Sequence, residues 1–149
     1  MRRVSALVGV TLLALGAHAS VARATTTGGR GDGEVKALSV VPAAGRAEVV
    51  IAVGGDVDVQ DFTLDSPPRI VLDLKGARLT ASARLYDRIA RGGIVNIRMA
   101  QYREGVVRVV LDLDGEREYT VTRGTGELRV TVGGNTSGSF AAWRSSPEV

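Results

Sequence analysis

Apolar and polar positions alternate with a period of two through much of the chain, and the clearest instance occurs twice. Arg69-Ile-Val-Leu-Asp-Leu-Lys-Gly76 recurs 39 residues later as Arg108-Val-Val-Leu-Asp-Leu-Asp-Gly115, identical at six of eight positions. The alternation sets Ile70, Leu72 and Leu74 on one face and Arg69, Val71 and Asp73 on the other. In the second copy Val109, Leu111 and Leu113 oppose Arg108, Val110 and Asp112. This is the pattern of an antiparallel strand with one face in a core and one face available. The repetition predicts a small β domain of two similar halves, with function on the outward faces or adjoining loops.

Further strands are predicted, giving a set at 35–41, 47–53, 57–64, 69–74, 94–101, 106–113, 118–123 and 128–132. Turn residues separate most of them: Pro42 to Gly45, Gly54-Gly55-Asp56, Asp65 to Pro68, Arg103-Glu-Gly105 and Gly124-Thr-Gly126. Short β-branched runs at this spacing predict an all-β sandwich. Pro67 and Pro68 cannot donate to a ladder and suit a strand entry. Glu104-Gly105 between alternating runs suggests a hairpin. Residues 80–90 lack the alternation and are read as one short helical turn.

The flanks have a different character. Arg2 and Arg3, the apolar run 4–17 and the small-x-small site Ala22-Arg23-Ala24 form a cleaved secretory signal, residues 1–24. That run is shorter than the roughly 20 residues a transmembrane helix needs. Residues 25–34 are Gly/Thr-rich and read as a flexible lead-in. Residues 35–132 form the β domain. Residues 133–149 return to Gly/Ser/Asn composition and read as a flexible tail, with Phe140 and Trp143 lacking apolar neighbours at a strand's period.

Charge and chemistry narrow the function. Of 19 basic residues, Arg2, Arg3 and Arg23 leave with the signal; the remaining 16 equal the 16 acidic ones. The sequence pI of 9.8 therefore describes the precursor and gives no argument for nucleic-acid binding. The one histidine, His18, also lies in the signal, and there is no cysteine. These absences exclude Ser-His-Asp and Cys nucleophiles, His- or Cys-ligated metals, disulfides and a lipidated N-terminus in the exported chain. No cofactor is expected. None of the Gly-Gly pairs has a phosphate-cradle context, so they read as turns.

One stretch carries a specific resemblance. Asp61-Phe-Thr-Leu-Asp-Ser-Pro-Pro-Arg-Ile-Val-Leu-Asp-Leu-Lys-Gly-Ala77 resembles the signature of the AMIN domain. A second family element is matched by Gly93-Ile-Val-Asn-Ile-Arg-Met-Ala-Gln101, followed by Arg108 to Leu113. AMIN domains lie in the bacterial periplasm, ahead of N-acetylmuramoyl-L-alanine amidase domains and at the front of type IV pilus secretins. The resemblance implies a sandwich of two similar small β-sheets, internally duplicated. It also implies a non-catalytic, periplasmic peptidoglycan-binding module that positions an envelope machine. No amidase or secretin domain follows Val132 in this sequence.

Five residues are the candidate peptidoglycan site: Arg69, Asp73, Arg98, Arg108 and Asp112. Guanidinium groups bind carboxylates bidentately, and stem peptides present free carboxylates. Each arginine alone reads equally as a solvated strand face; the resemblance favours binding for the set, with Arg98 first. Asp73 and Asp112 are acceptors for sugar hydroxyls or peptide amines, or, the favoured reading, cross-strand partners of neighbouring arginines. Phe62 is expected in the core, behind an outward Asp61. Tyr102 and Tyr119 read either as stacking platforms or as tyrosines at a core edge. The competing function is a protein-interaction adaptor in a pilus or secretin assembly without glycan affinity, taking a partner strand on an exposed edge. A wall hydrolase would need a carboxylate pair in a cleft, which the sequence does not supply.

Overall fold

The computed structural model describes residues 32–81, 84–134 and 139–146, which form two packed β-sheets. The expected signal segment 1–24 and most of the expected lead-in lie outside the described residues. Ten strands follow one another: β1 Gly33–Ala43, β2 Arg46–Gly54, β3 Asp58–Leu64, β4 Arg69–Lys75, β5 Ala77–Leu79, β6 Ile94–Arg103, β7 Val106–Leu113, β8 Tyr119–Gly124, β9 Glu127–Val132 and β10 Trp143–Arg144. A six-stranded sheet runs β10-β1-β2-β9-β8, with β5 also on β1. A four-stranded sheet runs β3-β4-β7-β6. The molecule is an all-β sandwich, as the alternation predicts.

Alternation decides which face is buried. Val49 and Ile51 of β2 and Leu128, Val130 and Val132 of β9 meet Ile70, Leu72 and Leu74 of β4 and Val107, Val109 and Leu111 of β7. These side chains are essentially inaccessible, and each contributes about 1.5–3 kcal/mol of burial. In β1 the phase slips: Val35 is buried, then Leu38 and Val40. The register to β2 shifts between Val35 and Ala37, so Lys36 is a bulge that returns the strand to the core.

The repeated octapeptides do not fall one in each sheet. They are β4 and β7, adjacent antiparallel partners at the centre of the four-stranded sheet. Val71 faces Val110, so the repeat is self-complementary about that pair, and each copy's arginine lies opposite the other's aspartate.

Three expectations fail. Among the described residues of 80–90 there is no helical turn. Tyr86 instead drops into the core, its hydroxyl donating to the Ile89 carbonyl at 2.6 Å. The segment turns into β6 through Gly92 and Gly93, both at positive φ, between the bridged Arg91 and Ile94. Nor is all of 133–149 a tail. Residues 143–144 pair with Val40 and Ser39 of β1, and Trp143 is buried edge-on against Tyr86, with ring centroids 5.0 Å apart. The core supplies what the local composition lacks: burying an indole outweighs ordering a few small residues. Third, Phe62 leaves the core, for a reason given by its register.

Candidate functional site

The register of the four-stranded sheet assembles its outer face row by row. Leu64, Arg69, Asp112 and Asn96 form one row across β3, β4, β7 and β6. Phe62, Val71, Val110 and Arg98 form the next, and Gln60, Asp73, Arg108 and Ala100 the third. Side chains directly opposite in a ladder share a face. All five candidate residues therefore lie on one surface, although Arg98 comes from a strand outside the repeat.

Phe62 sits on this surface because its partner is Val71, whereas Asp61 is opposite the core residue Leu72. The expected phase of β3 is thus reversed. An inward carboxylate is tolerated because β3 is an edge strand and Tyr119 of the other sheet reaches it, the hydroxyl donating to Asp61 Oδ2 at 2.7 Å. Burial, then that hydrogen bond, pushes the Tyr119 phenol up to about 12. Tyr119 closes the flank between sheets and presents no stacking platform.

Arg108 is held by three side chains. Its Nε and Nη2 donate to the two carboxylate oxygens of Asp73 at 2.7 and 2.8 Å. Its guanidinium lies 3.7 Å from the Tyr102 ring centroid and 5.6 Å from that of Phe62. Asp73 is only 8% exposed, and the Arg108 hydrogen bond holds its carboxyl below the ordinary value despite burial. Bidentate geometry and a ring on the guanidinium are what arginine offers and lysine does not. The result is a braced cluster with Tyr102 54% exposed at its edge.

The other two arginines are more open. Arg98 donates to Asp112 at 3.0 Å, yet its side chain remains 56% exposed. Asn96 donates to the second Asp112 oxygen at 3.3 Å. Arg69 donates from Nε to the Pro67 carbonyl at 3.3 Å and, among the described residues, forms no ion pair. It borders a polar hollow of about 260 Å3 shared with Thr63, Asp65, Glu116 and Arg117. The surface is a mixed-charge face on which Val71, between Phe62 and Val110, is itself covered.

Arg91 has no place in the sequence reading, yet it is 4% exposed. It donates to both oxygens of Asp87 and, from Nε, to the Ala141 carbonyl at 2.7 Å. It fastens the segment before β6 to the segment carrying Trp143. The signal for it is absent from the sequence because its partners come from two stretches without strand periodicity. Among the described residues no cluster of three or more His, Cys, Asp or Glu is gathered for a metal. Among the described residues no helix is long and apolar enough to cross a membrane.

A family model of the AMIN domain matches residues 37–140, the greater part of the chain and nearly all of the sandwich. No curated protein matches the chain.

Proposed function

The chain belongs to the AMIN domain family, and from that premise we propose that it is a non-catalytic module that binds peptidoglycan through the outer face of the four-stranded sheet. AMIN domains are periplasmic peptidoglycan-binding modules of amidases and secretins, and the leader at 1–24 would deliver this one to the same compartment. The observation that supports the site is the gathering of Arg69, Asp73, Arg98, Arg108 and Asp112 on one face. Arg98 and Arg69 contact stem-peptide carboxylates, Arg98 exchanging part of its exposed bond to Asp112 for the ligand. Asp73 and Arg108 hold each other and present Tyr102 to the polymer.

Each contact is shallow and solvated, so single-site affinity is modest. The repeating wall multiplies it when the module is tethered to, or assembled within, an amidase or pilus secretin machine. Co-sedimentation of the purified chain with intact sacculi tests the reading. Arg69→Ala/Arg98→Ala is expected to lower the bound fraction several-fold while circular dichroism stays that of the wild type. Failure of the wild type to sediment with sacculi at any salt concentration overturns it.

A further inference from the structure

Beside the arginine face, the β6 edge of the sandwich is unfinished. β6 pairs only with β7, leaving its other edge without a ladder partner among the described residues. That edge is closed at its ends. Ile94 bridges to Arg91, and the Gln101 side chain bonds the Leu79 amide at 2.9 Å and the Ala77 carbonyl at 3.2 Å. Between them, Ile97, Arg98 and Met99 all line one cavity of about 230 Å3. Successive strand side chains point to opposite faces, so three consecutive residues border one hollow only along the backbone edge. The cavity therefore opens on the unpaired edge itself.

Its other walls are apolar: Leu38 of β1, Leu79 of β5, Trp143 of β10, and Leu85 and Tyr86 of the preceding segment. Leu85 is 88% exposed, and Ile89 in the same segment 58%. The charged residues at the cavity are Arg84 and Arg98, with no carboxylate in its lining. Asp87, in the same segment, is already bound by Arg91.

We propose that the β6 edge accepts an extended acidic peptide segment of a partner protein, added as a further strand to the four-stranded sheet. Main-chain hydrogen bonds to residues 95–100 supply the pairing, and alternate side chains supply the choice of partner. An added strand turns every second side chain inward, where an apolar one fills the cavity against Met99 and Trp143. The intervening side chains lie outward beside Arg98 and near Arg84, where acidic groups suit them. The recognised pattern is therefore alternating apolar and acidic residues. This edge shares Arg98 with the wall-binding face, but the proposal does not rest on that reading.

The test uses the purified chain with fluorescent ten-residue peptides of alternating Val/Glu, alternating Val/Lys, and scrambled Val/Glu sequence. The Val/Glu peptide is expected to bind about tenfold or more tightly than the other two. Hydrogen exchange should slow at the amides of 95–100, and Arg84→Glu/Leu85→Asp should abolish binding while leaving sacculus sedimentation unchanged. Equal binding of all three peptides overturns the proposal. So does protection that appears on β3, the opposite edge of the same sheet. Light scattering that shows the chain paired through β6 with a second copy overturns it as well, assigning the edge to self-association.

Discussion

Arg69 and Asp112 face each other across β4 and β7 in the same register relation as Arg108 and Asp73, yet only the second pair closes into an ion pair. The repeat alone would make the two pairs equivalent. The neighbouring strands remove the equivalence. Asp112 is taken by Arg98 and Asn96 of β6, while Arg69 turns to the Pro67 carbonyl beside β3. Around the other pair, Phe62 and Tyr102 cover the guanidinium and help exclude water from Asp73. One duplicated phrase has become a locked cluster at one end of the face and an open cationic group at the other.

That asymmetry predicts different costs of mutation. Arg108→Ala leaves Asp73 nearly buried and unpaired, and should destabilise the fold by about 1–3 kcal/mol. Arg98→Ala disrupts an exposed pair and should cost under about 1 kcal/mol. Urea unfolding of the two variants checks this. Equal losses would mean that the coverage of Asp73 has no energetic consequence.

The same cluster sets an acid response. The Asp73 carboxyl is held below its ordinary value of 3.8, so its contribution is full above that value. It is lost as the pH falls through the lowered folded-state value. Asp73→Asn should lower stability at neutral pH and flatten the acid limb of a stability-versus-pH curve. Unfolding midpoints measured from pH 7 down to about 2 would show a parallel limb if another carboxylate dominated.

Much of this was legible in the sequence. Each of the eight expected strands has an observed counterpart, because most bury one alternating face and turn residues separate most of them. The outward placement of Arg69, Asp73, Arg108 and Asp112 followed from the same alternation. What escaped lacks a period. β5 has three residues and β10 two, too few to alternate. Phe62 is not placed by alternation because edge strand β3 carries polar residues on both faces, and its phase comes from its pairing with β4. The cross-strand partners of Arg98 and Arg108 depended on which strands became neighbours, which no local pattern states.

Trp143 gives the sharpest consequence of what escaped. Its indole fills the end of the core against Tyr86, while the same stretch ties Arg91 through the Ala141 carbonyl. Trp143→Ala should destabilise by about 3–5 kcal/mol, and ending the chain at Gly134 should cost at least as much. Thermal unfolding of both checks this. A truncated chain as stable as the full one would mean that the sandwich closes without β10.

Tyr119 predicts an alkaline transition of its own. Its phenol, raised from 10.0 to about 12 by burial and by the bond to Asp61, stays protonated in the fold after an unfolded tyrosine has ionised. The stability it contributes is therefore full below pH 10 and is lost as the pH climbs towards about 12. Absorbance titration at the phenolate band should show two tyrosines ionising late, Tyr119 and the buried Tyr86, and Tyr119→Phe should remove one of those steps. Asp61→Asn should bring the step earlier, because the neutral amide no longer opposes a phenolate beside it. If Tyr119→Phe left the number of late-ionising tyrosines unchanged, the raised phenol assigned to Tyr119 would lie elsewhere.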